Sequence, residues 1–238
     1  MKRLLALGLT IGLLVLTSGL PAAPTPREQA KVKEALRELQ DFIGGWKGSG
    51  SKKLNPSPRD TFWPETVKWN WRFKGDEAWL NVEFEGGKLF KSADIRYLLG
   101  KNKYELTATP VEGKEKPVFI GELKDDKLIF QRTDPETKEI QRIRMNTAAE
   151  GIRFLYYIER KAETGTIWRL EAFVQSTKIG ESLAKKEKKG PECVVSGGLG
   201  TMTVSYMGEV FYVCCSGCLE AFKENPKKYV DEFKKNKK

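Results

Sequence analysis

Between residues 46 and about 176 apolar and polar side chains alternate with a period of two. Val67, Trp69, Trp71 and Phe73 alternate with Lys68, Asn70, Arg72 and Lys74, and Leu80, Val82 and Phe84 alternate with Asn81, Glu83 and Glu85. The pattern returns at Tyr104, Leu106 and Ala108, and at Leu128 and Phe130. It appears again at Ile152, Phe154, Tyr156 and Ile158, and at Trp168, Leu170, Ala172 and Val174. A period of two is that of a strand with one face buried. Turn formers punctuate the runs: Lys74-Gly75-Asp76, Glu85-Gly86-Gly87, Gly100-Lys101-Asn102, Asp125-Asp126, Asp134-Pro135 and Glu150-Gly151. No helix-length segment separates them, so the strands must be antiparallel neighbours joined by tight hairpins. Closing such a meander on itself removes its two exposed edges. The expectation is a mainly β fold, an antiparallel up-and-down barrel of about ten strands.

What flanks this region has a different character. Residues 27–42 place Ala30, Val32, Leu36, Leu39 and Phe42 at helical spacing, and Gly44-Gly45 stops the run. Residues 1–23 read as a signal peptide: Lys2-Arg3, then an apolar run from Leu4 to Leu16, then small residues around Pro21-Ala22-Ala23. That run is short of the roughly 20 residues that span a bilayer, and no cysteine follows it to carry a lipid. The expected product is periplasmic or secreted, without stable membrane insertion once the signal is cleaved; an uncleaved N-terminal anchor is the alternative. The domains expected are therefore residues 27–177 for helix and barrel, a charged linker at 178–190, and a small module at 191–238.

Charge and histidine content narrow the function classes. The chain of 238 residues carries 42 Lys+Arg against 32 Asp+Glu. Much of that excess lies at residues 185–189 and 227–238, which read as a solvated linker and a frayed end, so no nucleic-acid partner is expected. There is no histidine, which excludes a Ser-His-Asp triad, histidine metal ligands and haem held by a proximal histidine.

The stretch Phe42-Ile43-Gly44-Gly45-Trp46-Lys47-Gly48-Ser49-Gly50 resembles the start of a lipocalin-like (calycin) barrel, in which a Gly-x-Trp lies on the first strand. Nitrobindin-like barrels and a related bacterial family of unknown function begin in a similar way. The resemblance implies that an arginine late in the barrel stacks on Trp46, Arg169 being the candidate; by itself Trp46 reads as a core aromatic plugging one end. Haem binding does not carry over, because nitrobindins ligate haem through histidine. A barrel of this size either holds a small apolar ligand or is filled by its own Trp and Phe side chains.

All four cysteines fall in the last fifth of the chain, with Cys193, Cys214 and Cys218 in a C-x20-C-x3-C spacing and Cys215 beside them. Cys193 precedes the flexible pair Gly197-Gly198. A hairpin turning at Met207-Gly208 returns the chain to Cys214, and Cys218 falls in the first turn of a helix, where the partial positive charge favours thiolate. Leu219, Phe222, Tyr229, Val230 and Phe233 can cover the site, and Asn225-Pro226 starts a second helix. Three thiolates suit trigonal copper(I), or zinc completed by water, a carboxylate or Cys215. Cys215, expected to point away from its neighbour, is otherwise a small buried hydrophobe. Met202 and Met207 are soft donors in the hairpin, or ordinary packing.

Cys193-Val194-Val195-Ser196-Gly197, Val204-Ser205-Tyr206-Met207-Gly208, Phe211-Tyr212-Val213-Cys214, Cys218, Phe222, Asn225-Pro226 and Tyr229 together resemble the YHS domain. YHS domains belong to the TRASH-like group of small α+β, treble-clef-like metal modules associated with heavy-metal trafficking, resistance and sensing. The resemblance implies metal ligation by Cys193, Cys214 and Cys218. Relatives with four ligands carry a second cysteine where this chain has Ser196. The function expected is thus non-enzymatic binding of copper or zinc by an exported protein. The alternatives are a disulfide-stapled module, a thiol oxidoreductase using Cys215 and Cys218, and a carrier of a small apolar ligand in the barrel.

Overall fold

The computed structural model describes residues 24–180 and 190–237, so the expected signal peptide and residues 181–189 of the expected linker lie outside the described residues. Ten antiparallel strands form a closed barrel in which each strand pairs with its neighbours in sequence. They are β1 (Gly44–Ser51), β2 (Phe62–Lys74), β3 (Glu77–Glu85), β4 (Phe90–Leu98) and β5 (Lys103–Pro110), then β6 (Val118–Lys124), β7 (Lys127–Thr133), β8 (Ile140–Ala148), β9 (Arg153–Lys161) and β10 (Arg169–Lys178). β1 closes on β10 with Trp46 opposite Lys178. The alternation follows the wall: Val67, Trp69, Trp71, Leu80 and Val82 point inward and are fully buried. Tight turns do the rest, as where Asp125 and Asp126, both at positive φ, join β6 to β7.

One strand departs from the expected phase. A bulge at Glu171 shifts β10 against β9, so that Leu170 faces Glu159 while Ala172 faces Ile158. One extra residue inverts the pleat, and Trp168 and Leu170, expected inside, lie on the outer face. There the Arg142 guanidinium sits 3.6 Å from the centre of the Trp168 ring.

The N-terminal helix is shorter than its apolar spacing suggests. α1 (Pro26–Arg37) begins at a capping box between Thr25 and Glu28, and Ala30 is exposed on it. Beyond Arg37 the chain tightens into i→i−3 bonds, Phe42 N–H to Leu39 C=O at 3.1 Å and Ile43 N–H to Gln40 C=O at 3.0 Å. This 3₁₀ turn, not Gly44-Gly45, ends the helix, and it drives Leu39, Phe42 and Ile43 together into one end of the barrel. Phe42 stacks on Trp69 at 5.0 Å, and Trp46 meets Phe154 at 5.4 Å and donates its indole N–H to the Phe42 carbonyl at 2.7 Å. The cation over Trp46 is Lys178, 4.9 Å from the ring centre. Arg169 cannot reach, because nine residues of extended strand, about 30 Å, separate it from Lys178; it pairs with Glu139 instead.

The C-terminal region is a two-stranded hairpin followed by two helices. β11 (Met202–Tyr206) and β12 (Glu209–Val213) are joined through Met207 and Gly208, both at positive φ. α2 (Ser216–Glu224) and α3 (Pro226–Asn236) follow, the second capped by the Asn225 side chain on Lys228 N–H. Residues 227–236, expected to fray, are helical because Tyr229 and Val230 are buried and Phe233 packs against the core. The region docks on the closed end of the barrel. Gly217 lies against the Trp71 backbone, Ser216 donates to Asn70 at 3.1 Å, and Arg37 Nε donates to the Ser196 carbonyl at 2.8 Å. Ion pairs Arg72–Glu220 at 3.6 Å and Lys228–Asp76 at 3.4 Å lie at the rim. No helix among the described residues is long and apolar enough to cross a membrane.

Candidate metal centre

Each of the three spaced cysteines is positioned by a different element. Cys193 is bridged to Tyr212 of β12; its N–H donates to Gly198 C=O at 2.6 Å, and its own carbonyl accepts from Gly197 N–H at 2.8 Å. That tight turn needs glycine at position 197 and leaves little room at 198. Gly197 has φ +77°, and a Cβ on Gly198 would stand 2.0 Å from the Gln40 side chain. Cys214 is the first residue after β12, and Cys218 lies in the first turn of α2, one helical turn along. All three are buried and all four cysteines are free thiols.

Their sulfur atoms lie within 4.8 Å of one another, and Cys214 Sγ is 3.5 Å from Cys218 Sγ. Thiolates bound to one ion at about 2.3 Å stand about 3.8–4.0 Å apart in tetrahedral or trigonal geometry. The set therefore fits a single ion with sub-ångström adjustment. A cysteine triad of this kind can hold a metal ion, and its soft donors suit zinc or copper(I) chemically.

Ser196, at the position where a fourth sulfur would stand, contacts the set through both its ends. Its N–H donates to Cys193 Sγ at 3.4 Å, and its hydroxyl is 3.3 Å from Cys214 Sγ. Hydrogen bonds from the Cys214 and Cys218 thiols hold the Cys193 thiol well below its ordinary range. Sharing with Cys193 raises Cys214, and burial raises Cys218. Lys33 of α1 faces the set; burial lowers the Lys33 ammonium, while Glu232, Cys218 and Cys193 pull it back up.

Cys215 stands beside the three-sulfur set and outside it. It is the N-cap of α2 and buried, and its sulfur is not one of the three that converge. Hydrogen bonds from the Cys214 and Cys218 thiols lower its pKa to about 3, with the Cys218 and Trp71 N–H groups acting in the same sense. Met207 is 86% exposed at the hairpin tip, remote from the sulfurs, whereas Met202 lines a groove together with Cys214 and Cys215.

Several contributing residues carry no sign of it in the sequence. Lys33 and Arg37 are four apart on α1, but nothing local says what that face meets. Inside the barrel, Glu65 breaks the rule that carboxylates take the polar side. It is buried, accepts the Trp63 indole N–H at 2.8 Å and pairs with the Tyr156 hydroxyl. The other end of the barrel is open, with cavities of about 430 and 550 Å³ that share Lys88 and Leu89. Their linings mix Phe90 and Trp63 with Arg132, Arg160 and Lys53.

No protein-family model matches the chain, and no curated protein matches it.

Proposed function

We propose that this chain is an exported, non-enzymatic protein that binds a soft transition-metal ion through Cys193, Cys214 and Cys218 in a YHS-like module. One observation carries the reading: three buried, unpaired sulfurs from three separate elements converge to within 4.8 Å. Copper(I) takes three thiolates as they stand, whereas zinc requires a fourth donor that the three-sulfur set does not supply. Lys33 offsets part of the negative charge that three thiolates bring.

The thiol-oxidoreductase reading is weaker. Cys215 and Cys218 are 6% and 0% exposed, which denies a protein disulfide the in-line approach that exchange requires. The barrel serves in this proposal as the platform on which the module is mounted.

The test is elemental analysis of the purified full-length protein, prepared reduced, alongside Cys193→Ser. The expected result is about one equivalent of copper or zinc per chain, lost in the variant, with proton release on loading. Equal metal content in both proteins, or a pair of cysteines oxidised in the native protein, refutes the reading.

A further inference from the structure

We infer that the groove between barrel and module is the route by which the metal is exchanged, with Cys215 and Met202 as its transfer ligands. This inference rests on the metal-binding reading above.

Among the described residues a narrow cleft and a wider groove both reach the cysteines. The cleft, of only about 70 Å³, reaches Cys193 between α1 and α3, and its lining includes Lys33, Arg37 and Lys237 along with Glu192 and Glu232. The three cations of this narrow cleft outnumber its two carboxylates, whereas in the groove Lys68, Arg72 and Lys178 are matched by Asp41, Glu83 and Glu220, so the cleft opposes the passage of a metal cation more strongly. The groove is about 680 Å³. One wall belongs to the barrel, with Gly45, Lys68 and Asn70; the facing wall presents Met202, Cys214 and Cys215. Cys193 and Cys218 are fully buried, whereas Cys214 and Cys215 keep 8% and 6% exposure. An ion arriving through the groove therefore meets Met202, Cys215 and Cys214 before it can reach the other two.

Met202, Cys214 and Cys215 all carry soft sulfur donors, and Cys215 follows Cys214 directly and heads α2 three residues before Cys218. A relay follows by ligand exchange. Each step makes one metal–sulfur bond as one bond to the outgoing ligand breaks. Thiol protons leave to water in the groove, and the oxidation state of the metal does not change. Cys215 then hands the ion to the three-sulfur set and returns to its place at the head of α2. This gives the barrel a part in the chemistry, because β1 and β2 supply the wall that fixes the width of the route.

Loading and withdrawal are measured by stopped flow on the full chain, with copper(I) and an excess of a chromophoric chelator, alongside equilibrium competition. Cys215→Ser and Met202→Leu are expected to keep Kd within about threefold of wild type while slowing withdrawal, by tenfold or more for Cys215→Ser. Lys68→Trp, an exposed change on the outer face of β2 that narrows the groove, is expected to slow exchange in both directions without altering Kd. Unchanged rates in Cys215→Ser and Lys68→Trp overturn the inference. So does a loss of affinity in Cys215→Ser as large as in Cys193→Ser, which makes Cys215 a resident ligand. A wild-type protein that takes up no metal refutes the functional reading itself, a result distinct from either.

Discussion

Gly217→Ala sets two effects of known sign against each other. In an isolated helix alanine is favoured over glycine by about 1 kcal/mol, so propensity alone makes the variant more stable. The packing says the opposite. A Cβ at Gly217 would stand 1.8 Å from the Trp71 carbonyl oxygen and 2.9 Å from its carbonyl carbon. Both partners are backbone, so no rotamer change relieves the overlap, and restoring an ordinary contact requires α2 to withdraw from β2 by about 1.4 Å. Overpacking of this kind costs about 1–3 kcal/mol, which outweighs the propensity gain at all but its lower limit. The consequence reaches the metal centre because Cys218 is the next residue. Its sulfur lies 3.5 Å from Cys214 Sγ, and a shift of that size opens the set beyond what bonds of about 2.3 Å can span. The variant is expected to unfold at lower temperature without metal and to bind metal at least about tenfold more weakly, a change of about 1.4 kcal/mol. Thermal unfolding and competition titration measure the two effects. Gly100→Ala, where nothing lies within 4 Å of the added carbon, serves as control and should stay within about 0.5 kcal/mol. A Gly217→Ala protein as stable as wild type with unchanged affinity refutes the docking argument.

The remaining predictions concern one residue beside the sulfurs and one inside the barrel. Ser196→Cys places a thiol where a hydroxyl now stands 3.3 Å from Cys214 Sγ, so it should give a four-thiolate site. Zinc affinity is then expected to rise about tenfold or more, with cobalt(II) substitution giving a tetrathiolate spectrum; a cobalt spectrum with three sulfurs and one oxygen contradicts this. Burial raises the pKa of Glu65, while its bonds to Tyr156 and Trp63 pull the other way without cancelling the rise. A carboxyl raised in the folded state contributes its stability below its unfolded value and loses it as pH climbs through the folded one. Glu65→Gln keeps an acceptor for Trp63 and cannot ionise, so its melting temperature should gain on wild type as pH climbs above the ordinary glutamate value of about 4.3. A difference that is constant with pH contradicts the assignment. Glu65→Ala, which leaves the Trp63 and Tyr156 donors buried without a partner, should cost about 1–3 kcal/mol.

The barrel was legible because one side-chain period governs every strand, and closing a meander of consecutive hairpins removes both of its edges. Its misreadings have local causes. A single extra residue at Glu171 moved Trp168 and Leu170 outward, and bulges leave no mark on an alternation counted from one end. The early stop of α1 came from i→i−3 bonds that exist only because Leu39, Phe42 and Ile43 have a barrel end to fill. The three-cysteine spacing was readable for a related reason: a hairpin and a first helical turn bring distant positions together by local geometry. Lys33, Arg37 and the Trp71 backbone act on the module from more than 100 residues away in sequence. Only the docked fold reveals them.

X-ray absorption at the metal edge of the loaded, full-length protein tests the account most directly. The expected signal is a first shell of three sulfurs at about 2.2–2.3 Å, unchanged in Cys215→Ser, whereas Cys193→Ser retains no metal to give a signal. A first shell of nitrogen and oxygen, or sulfurs already joined to each other, contradicts it.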